Sequence, residues 1–148
     1  MFRTAQQRTA DATDAGFSMI ELLVVIIIIG VLAAIAIPVF LSQRDKGYDV
    51  AVKSDLVAAA NAEEAYSTDF NTYTDSASQL KSAEGFKFSQ AGEYSGGTPA
   101  MTIVSAGSKG YCITATAASG NTWFYDSNNG GLQPLSTSGY TCSVSGAS

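Results

Sequence analysis

The residue types in this sequence exclude most of the chemistry that enzymes use. Its 148 residues contain no histidine, two cysteines, 13 acidic and eight basic side chains, for a formal net charge of −5. Without an imidazole, there is no base for a serine or cysteine nucleophile and no ligand set for most zinc sites. The adjacent acids Glu63 and Glu64 do not make an acid–base pair, because neighbouring helical side chains point about 100° apart. We therefore expect solvated acids there, no enzyme activity and no cofactor.

Nucleic acid and metal ions are not expected as ligands either. The lysines and arginines are scattered singly, whereas duplex binding uses a basic stripe. The segment from Asp126 to Gly131 begins like a calcium loop, but Gly130 stands where an EF-hand needs Asp or Asn, and Thr137 where it needs a bidentate glutamate. We predict a hairpin turn in this segment, no metal site and no direct nucleic-acid binding.

The two cysteines, Cys112 and Cys142, leave two possibilities open. Such a pair suggests a disulfide in an exported protein and free thiols in a cytosolic one. The choice depends on the compartment, and the N-terminal segment is the guide to the compartment.

A carboxylate immediately precedes a long apolar run. No residue from Leu22 to Ile37 is charged or strongly polar. As a helix, the segment from Leu22 to Leu41 would be about 30 Å long, which is the thickness of the hydrocarbon core of a bilayer. Glu21 immediately precedes this run and follows a short, mostly apolar segment, Phe17 to Ile20. Because a carboxylate in hydrocarbon costs about 2.5 to 3.5 kcal/mol, its presence indicates a partner inside the membrane.

Two common kinds of apolar N-terminal segment fit this one poorly. One is a plain single-pass anchor, and the other is a cleaved secretory signal with an apolar core at Leu22 to Leu32 and a cleavage site at Ala34 to Ala36. Residues 1–21 hold three acids and only two arginines, whereas a signal should be positive ahead of its apolar core. A third interpretation makes the acid a functional feature.

One short motif resembles the processing site of type IV pilins and related pseudopilins. It reads Gly16-Phe17-Ser18-Met19-Ile20-Glu21, and the likeness continues through Arg44. The resemblance implies that a prepilin peptidase cuts between Gly16 and Phe17 on the cytoplasmic side and then N-methylates Phe17. Residues 1–16 would be the leader peptide that is removed.

The same resemblance gives roles to three further residues. Cleavage would create a cationic amine on Phe17, and Glu21 would neutralise the terminal amine of the adjoining subunit as helices pack into a filament. The helix dipole also favours an anion near a helix N-terminus. Gly30 and Pro38 are weak points in a helix, and in the family this stretch loosens during packing. A simple kink is the alternative.

The helical pattern continues beyond Pro38, now with an apolar stripe on one side. Asp49, Lys53, Asp55 and Glu64 are expected mostly to face away from it. The stripe consists of Tyr48, Val52, Leu56, Ala59, Tyr66 and Phe70, with Glu63 as an interruption. A helix from Phe17 to about Phe70 would be about 80 Å long, so we expect its wholly apolar half, residues 17–44, to protrude.

A polar connection is predicted over residues 67–85, after which the period of the pattern changes to two. The alternating runs between turn residues are Phe86 to Phe88, Met101 to Ile103, Tyr111 to Ala115 and Trp123 to Tyr125. They predict an antiparallel meander over about residues 86–135, packed against the amphipathic half of the helix. The predicted fold is α+β and pilin-like, with a globular domain at 45–148.

Several expectations come from the resemblance alone. The family often ties its C-terminal loop with a disulfide, which here would join Cys112 to Cys142. The chain would be a type IV pilin precursor that waits in the cytoplasmic membrane with its globular domain outside. An assembly ATPase and a membrane platform protein would then draw it into an extracellular homopolymer, a pilus used for adhesion, motility or DNA uptake.

Two alternatives stay open. A pseudopilin of a type II secretion or competence apparatus would assemble by the same chemistry. Major secretion pseudopilins, however, typically hold calcium with acids of their C-terminal loops, and after Glu93 this chain has only Asp126. The second alternative is a single-pass, membrane-anchored extracytoplasmic binding module, which would keep an unprocessed N-terminus.

Overall fold

The structure is a computed structural model that describes residues 16–105, 107–133, 142 and 144. Most of the predicted leader and most of the predicted C-terminal loop lie outside the described residues. The last two residues of the predicted sheet, 134 and 135, lie outside them as well. The chain forms two compact units, residues 1–39 and residues 40–148, and the boundary between them falls within the first helix.

Helix α1 spans Met19–Phe70, 52 residues, and includes Pro38. It begins two residues after the predicted start at Phe17 and ends at the predicted residue. Asn71 ends it in a left-handed conformation with a φ of 55°, and the N–H of Asn71 donates to the carbonyl of Ser67 at 2.9 Å. Asparagine tolerates this conformation better than most residues, so it suits the end of a helix.

The part of α1 in the first unit is covered with apolar side chains. Most positions from Met19 to Val39 carry a large, exposed apolar side chain. A window of 18 residues near the N-terminus has a mean hydropathy of 3.3, and none of it is buried. By length and composition, α1 is the one helix in the described part of the chain that could cross a membrane.

A second helix corrects the prediction of a loop over residues 67–85. Helix α2 spans Ala77–Ala83, and its Leu80 is fully buried. The carbonyl of Leu80 accepts the N–H of Glu84 at 3.0 Å and that of Phe86 at 3.3 Å, while Gly85 has a φ of 67°. A glycine in this conformation ends a helix without the strain that a Cβ would add.

The predicted strand at Phe86 to Phe88 is not formed. The N–H of Phe86 belongs to the end of α2, and the N–H of Ser89 donates to the carboxylate of Asp55 at 2.8 Å. The rings of Phe86 and Phe88 instead meet edge to face, with 5.0 Å between their centres. The backbone of this segment therefore forms hydrogen bonds with α2 and with Asp55 of α1, and not with a neighbouring strand in the described part of the chain.

Four strands form an antiparallel sheet in their order along the chain, as the predicted meander requires. They are β1 Met101–Ser105, β2 Tyr111–Thr116, β3 Thr122–Asp126 and β4 Gly131–Gln133. Ile113 in β2 pairs with Ile103 in β1 and with Tyr125 in β3. Strand β4 lies within the predicted range of the sheet, but it begins at Gly131, which is predicted to belong to the turn. Short 3-10 turns at Ala91–Glu93, Ser95–Gly97 and Gly107–Lys109 complete the described elements.

The core of the second unit lies between the sheet and the amphipathic part of α1. Val52, Leu56 and Ala59, all members of the predicted stripe, are fully buried. They belong to one apolar cluster with residues from α2 and from the first three strands: Leu80, Ile103, Tyr111, Ile113, Ala115 and Trp123. The predicted α+β packing of helix on sheet is thus confirmed.

Candidate functional site

The motif residues lie at the start of α1. The carbonyl of Ser18 accepts the N–H groups of Glu21 and Leu22 at 3.1 and 3.3 Å, which begins the hydrogen-bond pattern of the helix. Glu21 therefore lies in the first turn, where the helix dipole favours an anion. Phe17, Glu21, Leu22 and Val25 line an open, mostly apolar hollow of about 320 Å³. The structure thus brings the carboxylate and the predicted new terminus to one surface.

Gly30 and Pro38 both lie inside α1, which is continuous through them. A Cβ added at Gly30 would meet no atom within 4 Å in the described part of the chain. A glycine inside a helix costs about 0.5 to 1 kcal/mol relative to alanine. Close packing within the described subunit therefore does not explain why a glycine stands at this position.

A disulfide joins Cys112 in β2 to Cys142, with 5.6 Å between their Cα atoms. Cys112 is fully buried, and Val144, two residues beyond Cys142, is buried as well. The bond implied by the family resemblance is therefore present. It fixes one point of the C-terminal segment to a central strand of the sheet.

Asp55 on α1 is buried, contrary to the expectation that it faces away from the core. Its side chain is 5% exposed. The carboxylate accepts hydrogen bonds from the N–H and hydroxyl of Ser89 and from the phenol of Tyr94. Burial raises the pKa of the Tyr94 phenol, and the hydrogen bond to Asp55 and the charge of Asp55 raise it further. Asp55 thus holds the segment that follows α2 against α1.

Glu63 is the second buried acid, and the prediction that it is solvated is wrong. Its side chain is 0% exposed. Its Oε2 accepts the N–H of Thr74 at 3.0 Å, while Oε1 is buried without a hydrogen-bond partner among the described residues. Burial raises the pKa of Glu63 to about 7; the hydrogen bond from Thr74 opposes this rise, and the charges of Glu64 and Asp75 add to it.

Glu64 is exposed and contacts two tyrosines. The phenol of Tyr111 lies 3.1 Å from Oε1 of Glu64, and the phenol of Tyr73 lies 3.2 Å from Oε2. Burial raises the pKa of Tyr111, and the charge of Glu64 raises it further. Glu63 and Glu64 therefore have separate partners, and the two acids do not share a site.

The segment that resembles the start of a calcium loop is the turn between β3 and β4. Oδ1 of Asp126 accepts the N–H of Asn128 at 2.9 Å, and Oδ2 accepts the side-chain amide of Asn129 at 2.8 Å. These bonds make Asp126 the organiser of a hairpin turn, as predicted. No three His, Cys, Asp or Glu side chains in the described ranges are grouped so that they could hold a metal ion.

The sequence contained a signal for both buried acids. Glu63 occupies a position of the apolar stripe itself, four residues after Ala59, and Asp55 lies three residues after Val52. These spacings place both side chains on the side of the helix that faces the core. A charged side chain at such a position usually faces water, unless the carboxylate finds hydrogen-bond donors, as both acids do here.

The N-terminal region matches a known family model. The model describes the prokaryotic N-terminal methylation motif, and it matches residues 12–37. This range includes the bond between Gly16 and Phe17 as well as Glu21 and Gly30. The match supports the motif but covers only a small part of the chain.

One relative matches most of the chain. The type IV wide pilus major component PilA4 of Thermus thermophilus is 36% identical over 122 residues, which is 82% of this chain and 88% of that protein. The chain belongs to the type IV pilin family. Its long N-terminal helix, its antiparallel sheet and its C-terminal disulfide are thus the parts of a pilin.

Other relatives match this pilin over shorter lengths. The type IV major pilin protein PilA of Myxococcus xanthus is 37% identical over 45% of this pilin and 30% of its own length. The type II secretion system core protein G of Escherichia coli is 41% identical over 42% of this pilin and 44% of its own length. The pilin of Myxococcus xanthus and the secretion protein of Escherichia coli therefore match similar shares of this chain, 45% and 42%, whereas the wide pilus component matches 82% of it.

Proposed function

We propose that this pilin is a structural subunit of an extracellular type IV pilus. The observation that carries the proposal is the 36% identity with the wide pilus component of Thermus thermophilus over 82% of the chain. The exposed apolar part of α1 supports it, because so large an apolar surface needs lipid or another apolar surface as a cover. Before assembly this part would lie in the cytoplasmic membrane, with the globular domain outside.

Processing is the first step of the proposal. A prepilin peptidase cuts between Gly16 and Phe17, removes residues 1–16 and methylates the new amine of Phe17. The methylation motif matched over residues 12–37 supports this step. The new terminus would lie beside Glu21, at the surface where both residues line the same hollow.

Assembly is the second step. Glu21 pairs with the terminal amine of an adjoining copy, because a carboxylate among apolar side chains needs an opposite charge. Gly30 and Pro38 would let this part of α1 loosen as it packs in the filament. The open space at Gly30 supports that role, since contacts in the described part of the subunit give no packing reason for the glycine.

The pilin would act with other proteins and carry out no reaction itself. Its proposed partners are further copies of itself, the prepilin peptidase, an assembly ATPase and a membrane platform protein. Adhesion, motility and DNA uptake are the activities that such a filament could serve.

A pseudopilin of a secretion apparatus is the second candidate. The 41% identity with core protein G of Escherichia coli favours it, although that match covers 42% of this chain. Electron microscopy separates the two candidates. We expect long surface fibres that bind an antibody against residues 40–148, whereas a pseudopilin would give no long fibres at native expression. A Gly16→Val variant should stay unprocessed and give no fibres, which controls for adsorbed protein.

A further inference from the structure

Glu63 lies where α1 meets the connection between the two helices, residues 71–76. It is fully buried, and among the described residues its one hydrogen-bond donor is the N–H of Thr74, at 3.0 Å. Thr74 is buried too, its hydroxyl donates to Gln79 in α2, and the same hydroxyl accepts the N–H of Ser76 at 3.0 Å. The hydrogen bond from Thr74 to Glu63 therefore links α1 to the group formed by Thr74, Ser76 and Gln79.

The other oxygen of the Glu63 carboxyl is in a different situation. Oε1 is buried without a hydrogen-bond partner in the described part of the chain. The charges that act on Glu63 are those of Glu64 on α1 and Asp75 in the connection, and both are negative. Tyr73 is the titratable neighbour on the connection, and the charge of Glu63 helps to raise its pKa. Within the described ranges, an ionised Glu63 would thus meet one donor and two like charges.

We infer that Glu63 is a proton-operated latch, which holds the 71–76 connection against α1 when it is protonated and releases the connection when it is ionised. A neutral carboxyl can accept the Thr74 N–H and leave its other oxygen in an apolar place at modest cost. An ionised carboxylate favours the open form, because opening admits water to both oxygens. The latch lies within one subunit and does not depend on the proposed function.

The direction of the pH dependence follows from the raised pKa. Its pKa in the closed form is about 7, against an ordinary value of 4.5. The closed form binds the proton more tightly, so its advantage is complete below pH 4.5 and is lost progressively as the pH rises to about 7. Above that pH, no further change is expected from this group.

Hydrogen–deuterium exchange at the Thr74 amide tests the latch. The full chain would be studied in detergent micelles at pH 5 and pH 8, with the measured rates divided by the intrinsic rates. We expect the protection of Thr74 to fall by roughly 50- to 100-fold between these pH values. In Glu63→Gln, which cannot ionise, the protection should not change with pH.

Glu64→Gln is the matched control, because it removes the adjacent acid and leaves Glu63 in place. It should keep most of the pH dependence. A pH-independent protection of Thr74 in the natural chain would overturn the proposal, and so would an equal fall in Glu63→Gln.

A second measurement does not depend on any variant. The carboxyl carbon of Glu63 can be titrated by NMR in the natural chain. We expect a midpoint near 7 for Glu63. A midpoint near the ordinary value of 4.5 would overturn the latch even if Glu63→Gln failed to fold.

Discussion

The carboxylate of Asp55 on α1 accepts both the N–H and the hydroxyl of Ser89, at 2.8 and 2.6 Å. The two residues are 34 positions apart in the sequence, and the phenol of Tyr94 donates to the same carboxylate. A buried carboxylate with three donors is well satisfied. These hydrogen bonds to Asp55, and not pairing between strands, attach the segment between α2 and β1 to α1.

Replacing Asp55 should destabilise the globular domain strongly. In Asp55→Ala, the N–H of Ser89 and the phenol of Tyr94 lose their acceptor, and we expect the free energy of unfolding to fall by about 3 kcal/mol. Chemical denaturation of the full chain in micelles measures this change. Asp69→Ala, at an exposed position of the same helix, should change it by less than about 0.5 kcal/mol. Similar losses in the two variants would contradict the role of Asp55.

A methyl group at Gly110 should also destabilise the domain. Its φ is 146°, and a Cβ there would lie 2.7 Å from Oδ1 of Asn128 and 2.9 Å from Oγ of Ser127. Ser127 cannot move freely, because its hydroxyl accepts the N–H of Tyr111 at 2.9 Å. We expect Gly110→Ala to lower the melting temperature and to reduce the free energy of unfolding by about 1 to 3 kcal/mol.

Gly92→Ala is the control for Gly110→Ala. A Cβ at Gly92 meets no described atom within 4 Å. The stability of this variant should stay within about 0.5 kcal/mol of the natural chain. If Gly110→Ala were equally harmless, the close approach of Gly110 to the β3–β4 turn would not be what requires a glycine at this position.

The larger elements of the fold could be predicted from local patterns. Val52 and Leu56 repeat at the helical period, and Ile113 and Ala115 alternate with Thr114 and Thr116 in β2, so these patterns predict α1 and the sheet. Helix α2 could not be predicted in this way, since its seven residues hold one fully buried side chain, Leu80. So short a helix depends on tertiary contacts for its stability.

Residues of the N-terminal motif could be proposed from the sequence, whereas the buried acids depend on distant partners. The resemblance of one short segment to a processing motif points to Gly16, Phe17 and Glu21, and their roles stay predictions. The burial of Asp55 depends on donors that lie 34 and 39 residues away, and that of Glu63 on the N–H of Thr74. A sequence pattern records the position of an acid on a helix but not the donors that allow it to be buried.

The disulfide should contribute strongly to stability. Closing the 30-residue span between Cys112 and Cys142 is worth about 3 to 4 kcal/mol in the loop-entropy model. We expect a reducing agent to lower the denaturation midpoint of the natural chain and to leave that of Cys112→Ala/Cys142→Ala unchanged. An identical midpoint for the natural chain with and without reductant would show that the bond contributes nothing.

Removing the charge of Glu21 should block assembly and leave processing intact. Glu21→Gln keeps the size of the side chain but cannot neutralise an amine, so we expect the yield of sheared fibres to fall by roughly tenfold or more. Asp45→Asn removes an exposed acid further along α1 and should assemble normally. Fibres of normal yield from Glu21→Gln would refute the charge pairing.

Mass spectrometry of the subunit in fibres sheared from cells tests the central claim most directly. The pilus proposal predicts a subunit that comprises residues 17–148, with one methyl group on the amine of Phe17. A subunit that still begins at Met1, one that is cut after Ala36 as a secretory signal would be, or fibres that lack this chain would contradict it.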